Sequence, residues 1–388
     1  MSAATLEAIR ECLPRLRERA ITAERERRVP RESIDELRAA GMFRILQPAG
    51  AGGLEADPLQ FFEAARLVAT ACGSTGWVAS VLGVHPWQIA LFEDRAQKEV
   101  WGKDPDTLVS SSYAPTGKVE VVDGGYRISG RWNFSSGCDH ATWVLLGGVV
   151  LGDDGTPVDF GTFLVPRTDY RIDDVWNTVG LRGTGSNDIV IDGAFVPSHR
   201  MLSFVATTAL QCPGQAVNPG PLYKLPFASV FSNSITAPII GMAQGAYKAH
   251  VEMMRARVRI SYGGQKVAED GYAQVRVAEA ASDLDASWLQ LSRNVGELMD
   301  LAVAGIEIPM ELRVRARRDQ VLGTARAIRA VDRLFENSGG RALTYGNPIE
   351  RAWRDAHAGR VHAVNDPERA LSMYGMAEFG LAVNEPMV

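Results

Sequence analysis

The sequence predicts an α+β protein with an N-terminal helical domain, a central β-barrel or β-sandwich domain and a C-terminal four-helix bundle. Three observations predict this class. Apolar residues recur at helical spacing through about the first hundred residues, alternate with a period of two in the middle of the chain, and return to helical spacing in long alanine-rich segments. A chain of 388 residues has room for two or three domains. We expect these domains at residues 1–105, 106–205 and 206–388.

The first domain is predicted to be a series of helices. Ile9, Leu13 and Leu16 fall on one face of a first helix. Pro30 opens the next helix and Gly41 ends it, because proline fits a first helical turn and glycine fits the position after the last one. Two further helical segments are expected at residues 59–71 and 77–92.

The middle of the chain alternates apolar and polar residues, which is typical of strands. Residues 119–122 and 126–129 flank an Asp-Gly turn, so they predict a β-hairpin. Further short strands are expected at residues 143–150, 160–165 and 189–191.

Beyond about residue 222 the helical period returns. Residues 242–257, 268–303 and 310–338 predict long helices joined by short loops, an arrangement typical of a bundle. Residues 207–223 hold three prolines and no acidic residue. They form either a wall of a large apolar substrate pocket or an ordered connection between domains.

The charge balance argues against nucleic acid or an anionic membrane as a partner. There are 41 Lys and Arg against 46 Asp and Glu, a net charge of −5. The longest apolar run, residues 143–151, is far shorter than the ~20 residues that a spanning helix needs. The N-terminal residues show no apolar leader core.

The cysteine and histidine patterns favour a metal-free protein of a reducing compartment. Four cysteines stand far apart and form no Cys-x-x-Cys pair: Cys12, Cys72, Cys138 and Cys212. We therefore expect free thiols and a cytoplasmic location. His357 and His362 are five residues apart and do not share a helix face, so we expect no metal site.

Three segments are the most specific features of the sequence. They are Trp-Asn-Phe-Ser-Ser-Gly at residues 132–137, Gly-Leu-Arg-Gly-Thr-Gly-Ser at 180–186, and the stretch from Gly-Gly-Arg at 339–341 to Arg-Asp-Ala at 354–356. In this order, over about residues 20–380, they resemble the acyl-CoA dehydrogenase superfamily. The resemblance implies that family's fold, a flavin at the junction between the domains, and usually a homotetramer.

The sequence departs from the dehydrogenases at the catalytic base. The resemblance places their glutamate at a position occupied here by Ala363, and no Asp or Glu lies between Asp192 and Glu252 to supply the alternative base. An alanine cannot remove a proton. A dehydrogenase or oxidase would therefore need a displaced base, and this stays the alternative enzyme.

The segment around that position instead resembles the flavin-dependent oxygenase branch of the superfamily. Residues 354–367 run Arg-Asp-Ala-His-Ala-Gly-Arg-Val-His-Ala-Val-Asn-Asp-Pro. Members of this branch hydroxylate phenols with reduced flavin that a separate NAD(P)H:flavin reductase supplies. His362 suits such chemistry because an imidazole with a pKa of about 6.5 can hold a phenolic proton near neutral pH.

Further segments are similar to the oxygenases of this branch that 4-hydroxylate a phenolic secosteroid, 3-HSA, in bacterial cholesterol breakdown. These segments are residues 73–77, 83–85, 110–115, 136–140 and 387–388. The resemblance implies that seven residues line the flavin: Trp77, Ser111, Ser112, Tyr113, Phe134, Ser135 and Ser136. It implies that Arg257 reaches the flavin phosphate. Arg259 is the alternative for this role because of its spacing to Tyr262. The resemblance further implies that four residues close the site: Gly340, Arg341, His362 and Ala363.

We expect catalytic roles for His362, Ser136 and His85, each against a plain structural alternative. His362 could be a hydrogen-bonded core histidine, and His85 lies in an apolar helical run where a structural role is as plausible as a substrate contact. Ser136 could simply end a strand, although a hydroxyl near flavin N5 would restrain its proton. The arginines of residues 313–318 are expected on a solvated helix face or in intersubunit ion pairs.

The resemblance therefore implies the oxygenase component of a two-component monooxygenase. Reduced FMN or FAD and O2 would form a C4a-hydroperoxyflavin that hydroxylates the phenol ortho to its hydroxyl, giving a catechol. Besides the displaced-base dehydrogenase, two alternatives stay open: a non-catalytic flavin-binding scaffold, and a sibling oxygenase that acts on a smaller phenol or an aromatic sulfur compound.

Overall fold

The computed structural model describes residues 3–259, 263–383 and 385, and its order of helices, strands and helices confirms the predicted fold class. Six helices come first: α1 (Ala3–Glu18), α2 (Ala20–Glu26), α3 (Arg31–Ala39), α4 (Pro58–Ala71), α5 (Gly73–Ile89) and α6 (Asp94–Trp101). The side chain of Arg259, Tyr262 and the terminal Met387-Val388 lie outside the described residues.

Helices α4 and α5 form the centre of the first domain. Asp57 caps α4 by accepting a hydrogen bond from the Leu59 N–H at 2.7 Å, with Pro58 in the first turn. Every residue of α5 is buried, so this helix has no face turned to solvent. This buried helix carries both Trp77 and His85.

The strands form two four-stranded sheets. They are β1 (Val109–Ser112), β2 (Lys118–Val122), β3 (Gly125–Ser135), β4 (Trp143–Leu151), β5 (Pro157–Pro166), β6 (Arg171–Asp173), β7 (Asn187–Pro197) and β8 (Met201–Ser203). One sheet has the order β1-β4-β5-β8, with β1 parallel to β4, and the other has the antiparallel order β2-β3-β7-β6. Their apolar faces share a core that includes Trp132, Val144 and Phe163.

Three short strands, β1, β6 and β8, are absent from the sequence prediction. Strand β1 reads Val-Ser-Ser-Ser, and serine has little intrinsic preference for strands. Pairing with the apolar strand β4 nevertheless holds it in the sheet. We propose domain limits near residues 105 and 205, since α6 ends at Trp101 and β8 ends at Ser203.

The remaining helices follow the sheets. They are α7 (Phe204–Thr208), α8 (Phe227–Arg255), α9 (Gly271–Ala304), α10 (Met310–Ser338), α11 (Pro348–Arg360) and α12 (Pro367–Glu378), with the short strands β9 (Val258–Arg259) and β10 (Gln265–Lys266) between α8 and α9. Helices α8 to α11 pack together as the bundle. Among the described residues, no helix is both long and apolar enough to cross a membrane.

Helix α8 begins fifteen residues before the predicted start at residue 242, so that prediction was wrong. The extra segment contains Pro238 and many serines, which disfavour helices in isolation. Inside the bundle two of these serines are satisfied, because Ser232 donates to the Ala228 carbonyl and Ser234 to the Phe231 carbonyl. Burial against α4, α5 and α10 therefore overrides the local preference.

A single buried carboxylate joins the three domains. Asp355 of α11 accepts a hydrogen bond from the Leu181 N–H at 2.7 Å, in the glycine-rich loop that precedes β7. It also lies against Gly73 at the start of α5, where a Cβ atom would stand 2.6 Å from its carboxylate oxygen. Burial raises the pKa of Asp355 to about 6, although the hydrogen bond from the Leu181 N–H acts to lower it.

We predict that Asp355→Asn becomes more stabilising, relative to the wild type, as the pH rises from 5 to 6, and that the difference then levels off. The raised pKa means that the folded protein binds this proton more tightly than the unfolded chain, so the wild type loses stability between the usual pKa of 3.8 and the folded pKa of about 6. An asparagine cannot ionise and keeps an oxygen for the Leu181 N–H. The measurement is the difference in Tm between variant and wild type at several pH values.

Asp106→Asn is the control, because the hydrogen bond from Arg44 holds the pKa of Asp106 below its usual 3.8. Asp106 is then ionised in both states above pH 5, and its Tm difference should be nearly constant. A Tm difference for Asp355→Asn that is also flat, or that falls with pH, would contradict the raised pKa.

Candidate active site

A bulge in strand β3 turns Phe134 outward at the edge of the β domain. The pairing of β3 with β7 shifts register between Trp132 and Ser135. Phe134 lies in this bulge with a φ of 66°, in the left-handed region that bulky side chains rarely adopt. Phe134 is 70% exposed, and among the described residues its ring meets one other ring, edge to face, that of Trp176. Strain combined with an exposed aromatic ring is typical of a ligand contact.

The predicted serines gather around this bulge. Ser112 donates to the Asn133 carbonyl at 2.6 Å, and Ser135 donates to the Ser110 hydroxyl at 3.1 Å. Ser136 accepts a hydrogen bond from the Trp77 indole N–H at 3.1 Å. The end of strand β3 and helix α5 therefore meet through Ser136.

His85 is completely buried, and both of its ring nitrogens have partners. Nδ1 meets the Val109 carbonyl, and Nε2 lies 2.9 Å from the Ser111 hydroxyl. A carbonyl only accepts, so Nδ1 carries the proton. Burial lowers the pKa of His85 to about 4, which keeps the ring neutral near pH 7. Nε2 is then unprotonated, and its lone pair accepts a hydrogen bond from the Ser111 hydroxyl. The lone pairs of the Ser111 oxygen stay available to accept a hydrogen bond from a further donor.

Aromatic side chains connect the His85 region to the His362 region. Tyr113 meets His85 edge to face and packs against Phe231 at a ring-centre distance of 5.1 Å. Phe231 stacks on Phe227 and lies 6.3 Å from the His362 ring. The Tyr113 hydroxyl donates to Gln88. These rings form an apolar wall that runs from one histidine to the other.

His362 is half-buried at the turn after α11, where its ring lies 5.9 Å from the Trp77 ring. Its Nδ1 accepts a hydrogen bond from the Val364 N–H at 3.3 Å. Because Nδ1 is an acceptor, the proton of the neutral ring is on Nε2. Burial lowers the pKa of His362 to about 4, so the neutral form is the one present near pH 7. His362 therefore presents a hydrogen-bond donor, whereas the sequence led us to expect a base.

A buried polar network holds the turn that carries His362. Arg317 of α10 donates to the Val364 carbonyl at 3.1 Å, and Gln320 donates to the Asn365 side chain at 2.7 Å. Asn365 in turn donates to the Gly359 carbonyl at the end of α11. The prediction of a solvated face for residues 313–318 is wrong at Arg317, which is only 4% exposed.

The other predicted flavin contacts form a second group at the end of α10. The Arg257 guanidinium donates to the Ser338 carbonyl and lies beside Gly339, where a Cβ atom would stand 3.1 Å from it. Gly340 and Arg341 follow in an exposed turn, and Ala363 is exposed next to His362. The structure thus brings Arg257 together with the Gly340-Arg341 turn.

Residues 207–223 pack tightly onto the end of α5. Trp87 donates to the Leu222 carbonyl at 2.9 Å, and a Cβ atom on Gly214 would stand 2.1 Å from the Ala90 carbonyl. Of the two alternatives, the ordered connection fits these contacts. In the described part of the chain, no group of three or more His, Cys, Asp or Glu residues could hold a metal ion.

Several residues that complete this site were not predicted from the sequence. Gln88, Phe227, Phe231, Thr184, Ser186, Gln320 and Asn365 all contact predicted site residues or their supports. The glycine-rich segment around Thr184 and Ser186 is a signal that could have indicated two of them. Phe227, Phe231 and Gln320 have no local signal, because the bundle brings them from distant parts of the chain.

Comparisons with known families match both ends of the chain. "Acyl-CoA dehydrogenase, N-terminal domain" matches residues 4–104, and "Acyl-CoA dehydrogenase, C-terminal domain" matches residues 233–367.

Individual relatives match over nearly the whole chain. The flavin-dependent monooxygenase oxygenase subunit HsaA of Rhodococcus jostii is 58% identical over 97% of this chain and 98% of its own length. HsaA of Mycobacterium tuberculosis is 56% identical over 99% of this chain and 97% of its own length. The crystal structure of 3-HSA hydroxylase from Rhodococcus sp. RHA1 superposes with a TM-score of 0.96 at 55% identity, covering 100% of this chain and 99% of that one.

We predict that His85 and His362 stay neutral from pH 5.5 to 8 as different tautomers. The proton is on Nδ1 in His85 and on Nε2 in His362. The lowered pKa values, each about 4, place both titrations below this range. Long-range nitrogen–proton NMR spectra of the ¹⁵N-histidine-labelled protein distinguish the two tautomers. A midpoint near 6.5 for either ring, or the same tautomer in both, would overturn the assignment.

Proposed function

The chain belongs to the acyl-CoA dehydrogenase family, as an oxygenase component of a flavin-dependent monooxygenase, and on this premise we propose that it hydroxylates the phenolic secosteroid 3-HSA to a catechol. The observation that carries the proposal is the buried His85–Ser111 pair at one end of an aromatic wall, with the His362 donor at the other end of the same wall. A phenol needs both a proton acceptor and a donor that stabilises its oxyanion.

The residues present fit a flavin ring at the β3 bulge. Phe134 offers an exposed aromatic face in a strained backbone conformation, and Ser136 offers a hydroxyl fixed by Trp77. We place Trp77, Ser112, Phe134, Ser135 and Ser136 around the ring. When bound, the reduced flavin, FMN or FAD, supplies the activation of O2, and the protein supplies binding, orientation and proton transfer.

We assign phenol deprotonation to Ser111 and His85. The Ser111 oxygen accepts the phenolic proton while its own proton passes to His85 Nε2. The phenolic O–H bond and the original Ser111 O–H bond break, a new Ser111 O–H bond and a His85 Nε2–H bond form, and the positive charge lies on the imidazole. His85 Nδ1–H keeps its bond to the Val109 carbonyl throughout. The low pKa of the buried ring disfavours this charge, and the phenolate formed beside it compensates the cost.

His362 acts as a hydrogen-bond donor through Nε2–H. The Val364 N–H occupies Nδ1, so the ring has no lone pair to accept the phenolic proton. Of the two histidines that the sequence left open as the base, this geometry favours His85. The wall of Tyr113, Phe227 and Phe231 excludes water from the space between them.

We propose that a second copy of the chain completes the flavin site, in a homotetramer. Arg257, Gly340 and Arg341 form a separate group, and this region carries exposed apolar side chains, Leu343, Tyr345 and Val258. Exposed apolar groups of this size are typical of a subunit interface. Arg257 would bind the flavin phosphate there, and Gly340, Arg341 and Ala363 would close the site from both sides.

A separate reductase supplies the reduced flavin, in keeping with an oxygenase component. We propose that this reductase uses NAD(P)H and that the pair works in the cytoplasm. All four cysteines are buried and free, which supports a reducing compartment.

The test of the proposal is catechol formation by the purified protein with a flavin reductase, NADH, FMN or FAD, and 3-HSA. We expect the 4-hydroxylated catechol by liquid chromatography and little hydrogen peroxide. Hydroxylation of smaller phenols alone would discard the steroid substrate. Bleaching of bound flavin by an acyl thioester would support the displaced-base dehydrogenase, and peroxide without any hydroxylated product would support a non-catalytic scaffold.

We predict that His85→Gln and Ser111→Ala each slow catechol formation by about a hundredfold at pH 7, the usual effect of a lost general base. Their rates should recover as the pH rises toward the phenol pKa of about 10, because solvent then removes the proton. His362→Leu, which removes donation to the oxyanion, should be slow at every pH. The opposite pattern would make His362 the base.

We predict a tetramer of four identical chains by mass photometry. Leu343→Glu and Tyr345→Glu together should shift the mass toward smaller species and weaken flavin binding, because they charge the proposed interface. Val179→Glu, an exposed apolar residue of the β domain, is the matched control. A monomer that binds reduced flavin and forms catechol would contradict the shared site.

A further inference from the structure

Four buried hydrogen bonds form a continuous chain behind Ser136. The Trp77 indole N–H donates to the Ser136 hydroxyl at 3.1 Å, which lies 2.7 Å from the Ser186 hydroxyl. Ser186 lies 2.7 Å from the Thr184 hydroxyl, which donates to the Leu181 carbonyl at 2.9 Å. The three hydroxyl side chains are each less than a tenth exposed.

The two ends of this chain fix its direction. An indole N–H only donates and a carbonyl only accepts, whereas each hydroxyl has one proton to give. The Thr184 proton lies on the Leu181 carbonyl, since otherwise two oxygen lone pairs would face each other at 2.9 Å. Thr184 then accepts from Ser186, and Ser186 accepts from Ser136.

The far end of the chain is anchored. The Leu181 N–H donates to the buried Asp355 carboxylate, and the Trp176 indole donates to the Leu181 carbonyl at 2.8 Å. The Gly183 N–H donates to Ser74 at the start of α5. The loop that holds Thr184 therefore cannot turn its hydroxyls freely.

Ser136 is left with one lone pair and no proton to offer. A reduced flavin carries a proton on N5 and donates there, whereas an oxidised flavin has an N5 lone pair and accepts. We propose that Ser186 and Thr184 are positioning residues that make Ser136 an acceptor only, and that they thereby give the site its preference for reduced over oxidised flavin. This inference rests on the proposed function, which places Ser136 at the flavin.

This preference suits an enzyme that receives its flavin from another protein. The incoming reduced flavin gains a hydrogen bond to Ser136, and the spent oxidised flavin meets an unfavourable contact between two lone pairs. The reduced flavin makes a buried hydrogen bond where the oxidised flavin meets a lone pair. Such a difference corresponds to roughly a tenfold to hundredfold difference in affinity. The protein can then exchange its flavin after each turnover.

The test is the ratio of the dissociation constants of oxidised and reduced FMN, measured with the wild type and with Ser186→Ala. Reduced FMN is titrated anaerobically and oxidised FMN in air, with flavin absorbance and fluorescence as the readouts. In Ser186→Ala the Ser136 proton loses its acceptor and turns toward the flavin. We expect the oxidised form to bind more tightly and the reduced form more weakly, so that the ratio falls by at least about tenfold.

Three further variants separate this role from a loss of packing. Thr184→Ser keeps the hydroxyl and should keep the wild-type ratio, whereas Thr184→Val should lower it. Ser287→Ala removes a buried hydroxyl that donates to the Asp283 carbonyl within the bundle, so it is the matched control and should leave the ratio unchanged.

The outcomes distinguish this inference from the proposed function. If Ser186→Ala weakens both redox forms equally, the ratio does not move, and the hydroxyl chain is merely structural. A rise in the ratio would mean that the chain runs in the opposite direction. If the wild type binds no reduced flavin at all, the proposed function falls and this inference falls with it.

Discussion

The hydrogen bond between the buried Asp355 carboxylate and the Leu181 N–H is the interaction on which the site depends. It ties α11 of the bundle to the glycine-rich loop of the β domain, and it lies against the first residue of α5. Through that loop it fixes Thr184 and Ser186, and through them Ser136. A buried carboxylate is costly unless it is hydrogen-bonded. The need to satisfy one charge thus aligns three domains around the site.

The two histidines show how the partner of one ring nitrogen decides the chemistry of the other. A carbonyl beside Nδ1 makes His85 an acceptor at Nε2, and a backbone N–H beside Nδ1 makes His362 a donor at Nε2. Both rings are neutral because burial opposes their charge. The same residue type therefore presents an acceptor at one end of the wall that Tyr113 and Phe231 form and a donor at the other.

Much of the fold was predictable, because periodicity is a local property. The strand over residues 143–151, the hairpin around Asp123 and the helix over 310–338 follow from the spacing of their own apolar residues. Strand β1 and the first half of α8 were not predictable. Their serines disfavour the observed conformations, and only neighbouring elements supply the pairing or burial that stabilises them.

The sequence by itself determined the fold class, the family that the chain resembles, and the positions of the serines and histidines in its motifs. Only the tertiary structure decided what each of these groups can do. The tautomer of His362 is set by Val364, which is close to it in the sequence. In contrast, Ser111 and His85 are 26 residues apart in the sequence, and Ser186 and Ser136 are 50 residues apart. Spacing along a chain predicts which residues share a helix face or a strand face. The direction of a hydrogen bond depends on atoms that folding brings together, so it was fixed only in the folded molecule.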